Sequence, residues 1–319
     1  MAHMTGAGVE TIGDLGEFGL IDRITHHVGS GPAVLVGPGD DAAQVAIGAM
    51  GTLVTTDLLI ENRHFRRDWS SAYEIGRKAA ATNLSDINAM GGRASALTVG
   101  FAAPADLPVQ WAIDLTKGME DEATQIGAHI VGGDVSSAES VVIAVTALGK
   151  ATRVVTRDGA KVGDVVAVAG TLGLAGAGFA ALSRGFRSPK VAVDAHRVPT
   201  VPYEAGPTAA EAGASAMTDV SDGLLADVGH IARASGVGID LDPTAFEVLP
   251  AVATVAEALG ADPLTFVLTG GDDYALVATF SPVTELPMGW TAVGSVHAGE
   301  GVTVAGTAYD GASGHQHFR

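Results

Sequence analysis

A chain of 319 residues is longer than one hydrophobic core usually spans, and 47% hydrophobic content supplies enough apolar surface for two domains. Thirty-six acids against 18 Lys and Arg leave a net charge of −18, a balance that repels nucleic-acid phosphates and anionic membrane surfaces. The lack of cysteine excludes disulfides, thiolate nucleophiles and Cys-ligated zinc or iron–sulfur centres.

No apolar run approaches the ~20 residues of a membrane span, and no signal-peptide pattern precedes the first helix. A soluble, cytoplasmic protein is the expectation. In chain order, the spacing of Leu15, Phe18, Ile21 and Ile24 predicts an amphipathic helix over 15–27. A short strand, 33–36, runs into the glycine turn Val36-Gly37-Pro38-Gly39-Asp40-Asp41. Residues 41–57 read as two strands joined through Gly48-Ala49-Met50-Gly51, the second ending in Thr55-Thr56-Asp57. His64 follows in a polar loop.

Residues 72–90 predict a helix with a buried stripe of Ile75, Ala79, Ile87 and Met90, stopped by Gly91-Gly92. Asn83 and Asp86, three apart on that helix, share a face; the pair either caps a neighbouring loop or holds a metal. A strand at 95–101, a helix at 109–127, a strand at 129–131 entering Gly132-Gly133-Asp134, and a strand at 141–149 complete the first half. The expected division is 1–150 and 151–319.

The second half opens with Thr156-Arg157-Asp158-Gly159 and a strand over 164–169. Gly170, Gly173, Gly176 and Gly178 then lead into a helix at 179–184. The strict G-x-G-x-x-G of a dinucleotide-binding turn is missing, as is G-x-x-x-x-G-K-[ST]; tight strand–helix packing explains these glycines equally well. After a Pro-containing connector, 199–207, come a helical run, 208–213, a strand, 215–220, and Ser221-Asp222-Gly223. A helix ending at Gly236 follows, with Ser221 as its expected cap and an N-terminus that attracts anions. Strands are expected at 238–242, 266–269 and 274–280, the last two flanking Gly270-Gly271-Asp272-Asp273. Strands and helices thus alternate in both halves, an α/β class.

Taken singly, each of these acids is what a capped or solvated loop carries. Together, Asp41, Asp57, Asp86, Asp134, Asp219 and Asp222 predict a carboxylate-rich cleft contributed by both halves. Crowded carboxylates raise one another's pKa and stay ionised only when cations neutralise them. Without thiols, and with few candidate histidines, those cations should resemble Mg²⁺. Magnesium held by a few carboxylates completes its shell with substrate phosphates, which points to phosphoryl transfer by alignment and charge neutralisation. No covalent nucleophile stands out, so transfer should be direct, in line, between two bound phosphates. Arg157 is the expected phosphate clamp, because guanidinium binds phosphate oxygens bidentately.

These blocks resemble thiamine-monophosphate kinase. They are Gly39-Asp40-Asp41-Ala42-Ala43, Thr55-Thr56-Asp57 through His64-Phe65, and Asn83-Leu84-Ser85-Asp86-Ile87-Asn88-Ala89-Met90-Gly91-Gly92. Val131-Gly132-Gly133-Asp134, Thr156-Arg157-Asp158-Gly159-Ala160, Asp219-Val220-Ser221-Asp222-Gly223-Leu224 and Gly270-Gly271-Asp272-Asp273-Tyr274 follow in the family's order. The resemblance implies transfer of the γ-phosphate of ATP to thiamine monophosphate, giving thiamine diphosphate, with several Mg²⁺ ions. It also implies the two-domain α/β fold shared with aminoimidazole ribonucleotide synthetase. In that fold a mixed-sheet N-terminal domain forms a homodimer, and an α/β C-terminal domain completes the cleft.

Carried over position by position, the resemblance implies metal positions at Asp41, Thr55, Thr56, Asp57, Asp86, Asp134, Asp219 and Asp222. It implies nucleotide contacts at Gly133, Asp134, Arg157 and Ser221, and substrate contacts at His64, Asp272 and His315. Asp272 stands where relatives carry Glu, keeping the charge with a shorter reach, and His315 stands where the family has an aromatic. An aminoimidazole ribonucleotide synthetase-like enzyme is the alternative, though it fits the 83–92 and 270–274 blocks less well. Hydrogenase maturation factor and selenophosphate synthetase use a cysteine or selenocysteine that this chain lacks. A non-catalytic cation-binding protein would give Arg157 and His64 no purpose.

Overall fold

The computed structural model describes residues 52–311, 313 and 314, and, of the first 51, residues 10, 11, 14, 15, 20, 23–27, 29, 31, 32, 34–36, 44 and 45. Asp41 and His315 lie outside the described residues. The chain folds into two compact units, one of Met1–Ala46, Thr56–Ala80 and Ser95–Ala147, the other of Ile47–Thr55, Ala81–Ala94 and Leu148–Arg319.

In the first unit, β1 (Val34–Val36) and β2 (Gln44–Val45) pair antiparallel. There follow β3 (Leu53–Ile60), α1 (Ala72–Ala89), β4 (Arg93–Ala103), α2 (Val109–Thr124), β5 (His129–Ser137) and β6 (Val142–Lys150), of which residues 53–55, 81–89, 93–94 and 148–150 belong to the second unit. The sheet runs β3-β6-β4-β5, and β4 and β5 are parallel across the α2 crossover, as a strand–helix–strand unit requires. Helices α1 and α2 cross through glycine. A Cβ at Gly76 would overlap the Leu115 carbonyl, and one at Gly118 the Tyr73 carbonyl. Arg77 closes the crossing with an ion pair of 2.6 Å to the buried carboxylate of Glu122.

The expected apolar stripe on α1 is wider than its spacing suggested. Residues 78–85 are buried without a break, while Met90, expected inside, is only half-buried. Burying a helix on all sides also buries its polar groups, which must then be hydrogen-bonded. Asn88 shows how: its side chain accepts the Gly206 N–H at 3.0 Å and donates to the Pro202 carbonyl at 3.1 Å.

The second unit contains β7 (Val165–Ala169), α3 (Leu174–Ser183), α4 (Lys190–Arg197), α5 (Ala205–Ala212), β8 (Ala216–Val220), α6 (Leu224–Ser235) and β9 (Gly238–Leu241). It ends with α7 (Pro250–Leu259), α8 (Pro263–Thr269), β10 (Ala275–Phe280), β11 (Trp290–His297), β12 (Gly301–Val304) and β13 (Thr307–Ala308). The seven-stranded sheet runs β13-β12-β9-β11-β7-β10-β8, with β9 and β12 parallel and the other neighbours antiparallel. Strand β10 is buried at every position, as expected of a strand covered on both faces. Val166, Val168 and Val277 point to α6 and α8. Ala167, Leu276 and Ala278 point to α5.

Three local expectations change. Residues 266–269 are the end of helix α8, not a strand: Asp262 accepts the Leu264 N–H at 2.9 Å and Pro263 occupies the first turn. A short apolar run does not by itself distinguish the two states. Helix α3 starts at Leu174 rather than 179, taking in Gly176 and Gly178. A Cβ at Gly178 would overlap the Ala192 carbonyl of α4, so close packing accounts for that glycine. Helix α5 begins at Ala205, inside the expected connector.

Candidate active site

Within the second unit, two chain-distant residues, Thr55 and Asp219, meet successive residues of the C-terminal half of α1. The hydroxyl of Thr55, on β3, donates to the Asp86 carboxylate at 2.6 Å. The preceding residue, Ser85, donates to the buried carboxylate of Asp219 at 3.1 Å. Asp219 sits on β8, paired with Leu276 of β10. One turn of α1 thus bonds to the first part of β3 and to the C-terminal part of β8. On the same strand, the Thr218 hydroxyl accepts from Arg157 Nε at 3.1 Å, and the Ser235 hydroxyl donates to the Arg157 carbonyl at 3.0 Å. Arg157 is exposed but held by Thr218 at its side chain and by Ser235 at its carbonyl.

Beyond β8 the chain turns through Ser221-Asp222-Gly223 into α6. Ser221 is not the cap that the sequence suggested: Gly223 is the N-cap residue, and no side chain caps from that position. Instead Asp227, one turn into the helix, folds its carboxylate back. Its Oδ2 accepts the N–H groups of Ser221, Asp222 and Gly223, each at 3.1 Å. The turn leading into α6 is therefore closed by a carboxyl group from the helix itself. Burial, followed by the Asp222 charge, pushes Asp227 up to about 7 despite those three donors. Burial, then Arg233 and Arg157, holds the His230 imidazole below its usual value. Donor atoms of Asp222, Asp227 and His230 lie within 4.8 Å of one another, a spacing that a divalent cation could bridge.

The 270–274 loop is bonded to that turn. Asp272 N–H donates to the Ser221 carbonyl at 2.8 Å, and Tyr274 N–H to the Val220 carbonyl at 2.8 Å. The two adjacent acids then part. Asp273 turns inward and accepts from Gly173 N–H at 2.6 Å and Ala175 N–H at 3.1 Å, closing the start of α3; burial pushes it up to about 7. Asp272, at φ 65°, keeps a partly exposed carboxylate 3.7 Å from His196 Nδ1.

The first unit holds the other expected residues. Along β3 the side chains alternate, so Thr55, Asp57 and Leu59 share one face and Val54, Thr56 and Leu58 the other. The Thr56 hydroxyl pairs with that of Thr146 at 2.8 Å on the outer face, away from Asp57. His64 Nδ1 accepts the Ile60 N–H at 2.9 Å, which fixes its ring in the turn after β3. Gly133 and Asp134 lie within β5, opposite Val99 and Gly100, because the strand runs on past the expected end at 131. Asp134 is exposed there, and a Cβ at Gly133 would overlap the Val99 carbonyl.

Sequence reasoning passed over Ser85, His196, Asp227 and Asp273. One signal was available for Asp227: an acid in the first turn of a helix whose N-cap is glycine.

Comparison with known proteins agrees with the expected fold. Residues 39–151 match the AIR synthase related protein N-terminal domain, and residues 161–281 the AIR synthase related protein C-terminal domain. The chain is similar to the thiamine-monophosphate kinase of Mycobacterium tuberculosis, at 47% identity over 99% of this chain and 96% of the relative. It is similar to the crystal structure of thiamine-monophosphate kinase from Stenotrophomonas maltophilia K279a, with a TM-score of 0.81 and 33% identity over 92% of this chain and 98% of that one. It is also similar to AaThiL complexed with AMPPCP and TMP, with a TM-score of 0.77 and 32% identity over 95% of this chain and 98% of that one.

Proposed function

The chain belongs to the thiamine-monophosphate kinase family, a family of enzymes, and from that premise we propose that it transfers the γ-phosphate of ATP to thiamine monophosphate by direct in-line displacement, assisted by several Mg²⁺ ions. The chain aligns over nearly its full length with a structure holding AMPPCP and TMP, which supports both co-substrates. The observation that carries the reading is the Thr55–Asp86 and Ser85–Asp219 arrangement, which assembles hydroxyl and carboxylate oxygens from three distant segments. Such an all-oxygen donor set fits a hard cation.

Asp41, Thr55, Thr56, Asp57, Asp86, Asp134, Asp219 and Asp222 are assigned to Mg²⁺ in this reading; at Thr56 the hydroxyl is engaged with Thr146. Mg²⁺ bound there would offset phosphate charge on a protein of net charge −18. Gly133, Asp134, Arg157 and Ser221 take the nucleotide. Gly133 lets the β5 backbone lie close to β4, and Arg157 offers its guanidinium from a moored position on β8. His64, Asp272 and His315 take thiamine monophosphate. Residues 1–150 would carry the ATP, Mg²⁺ and dimer functions and 151–319 the remaining nucleotide and substrate contacts.

The homodimer reading is supported by β3, an edge strand whose outer face exposes Val54 at 61% and Leu58 at 54%. A cytoplasmic location without membrane or nucleic-acid partners is in keeping with the charge; among the described residues no single helix is long and apolar enough to cross a membrane.

The test is ADP release followed with and without thiamine monophosphate, with aminoimidazole precursors as the rival acceptors. ADP and thiamine diphosphate should form together and require Mg²⁺, and Asp86→Asn or Asp134→Asn should cost about 100-fold or more in kcat/KM while the fold is kept. ADP release driven by the aminoimidazole precursor instead, or full turnover in both variants, would defeat the assignment.

A further inference from the structure

A helix start leaves N–H groups without intrahelical partners, and Ser, Thr, Asp or Asn at the N-cap usually satisfies them. Helix α6 has glycine there, and the N–H of that N-cap is met from within the helix by Asp227. The geometry is tight on every side. Asp227 is only 3% exposed, and its own N–H donates to the Gly223 carbonyl at 3.0 Å. Gly223 has φ 125°, and a Cβ on it would lie 2.8 Å from the Thr269 carbonyl oxygen. The outer edge of the turn is held by the Asp272 N–H. Three successive N–H groups converge inward on one oxygen, while the side chains of Ser221 and Asp222 remain half-exposed.

We propose that Asp227 is a positioning residue for the reaction: it holds the Ser221-Asp222-Gly223 turn in one shape. The inference rests on the assignment of Ser221 to nucleotide and Asp222 to Mg²⁺. Its consequence is specific. The main-chain donors of this turn are already taken, so nucleotide phosphate is met by the Ser221 hydroxyl and by cations on Asp222.

Asp227→Ser removes the long acceptor and leaves room for water, and Asp227→Asn retains an oxygen where Oδ2 lies. In the serine variant, amide hydrogen exchange at residues 221–223 should speed up about tenfold or more, with the rest of α6 unchanged. Its half-saturating Mg²⁺ and its KM for ATP should rise about tenfold, more than kcat falls, and the asparagine variant should return both to within about threefold of the parent. Asp222→Asn serves as the reference. If Asp222→Asn shifts the Mg²⁺ dependence but Asp227→Ser alters neither that dependence nor exchange in the turn, the positioning role is wrong. If Asp222→Asn has no effect on Mg²⁺ dependence, the underlying assignment fails and the inference with it. Should the serine variant not fold, exchange in the asparagine variant decides: amides at 221–223 as labile as an unstructured loop would overturn the proposal, and retained protection would support it.

Discussion

Asp272 and Asp273 are neighbours of the same chemical type, yet one turns inward onto the start of α3 and the other stays partly exposed. The backbone makes the difference: Asp272 sits at φ 65°, so its neighbour's carboxylate swings inward to the N–H groups of α3. The inward acid carries a pH signature. Asp273 has a folded value of about 7 against an ordinary 3.8, so between those values the folded protein holds a proton that the unfolded chain has lost. Its contribution to stability is complete below about pH 4 and declines as pH rises towards 7. Melting curves of the parent and of Asp273→Asn should therefore move in the variant's favour over that range; a difference independent of pH would show that the acid titrates normally when folded. His64 offers a second residue-scale check. Its ring is fixed by the Ile60 N–H at the end of β3, and His64→Ala should raise KM for thiamine monophosphate with little change in that for ATP. An effect confined to ATP would show that its role is misassigned.

Elements here are placed as much by what glycine lacks as by what apolar residues bury. At the α1–α2 crossing, Gly76 and Gly118 each admit a carbonyl of the facing helix. Gly76→Ala should cost about 1–3 kcal/mol, read as a lower denaturant midpoint. Gly132→Ala, on β5 with nothing within 4 Å of the added atom, should stay within about 0.5 kcal/mol. Equal effects of the two would mean that the crossing relaxes freely. The same logic reads the glycines after β7: spacing alone left a phosphate turn or a packing device open, and at Gly178 the Ala192 carbonyl shows the second. In helix α8, Phe266-Val267-Leu268 is too short to display a period, whereas the Asp262-Pro263 start carries the helix signal.

For the molecule as a whole, a net charge of −18 makes cation binding and stability interdependent. On the proposed function, Mg²⁺ and ATP should raise the melting temperature with ligand concentration, and Asp86→Asn should lose most of that rise. An undiminished rise in the variant would place the cations elsewhere. On the proposed homodimer, Leu58→Asp puts a charge on the exposed outer face of β3 and should yield a monomer by light scattering. A variant that stays dimeric would move the interface off this strand.

The order of the acidic and glycine blocks, the α/β class and the kinase family are all determined by the sequence, because each rests on residue identity and local spacing. Tertiary structure alone decided which acids meet which partners. Thr55 finds Asp86 across 31 residues, and Ser85 finds Asp219 across 134, distances at which no periodic pattern carries information. The same is true of Asp227: an aspartate in a helix reads as surface until the fold buries it and three main-chain donors turn towards its single oxygen.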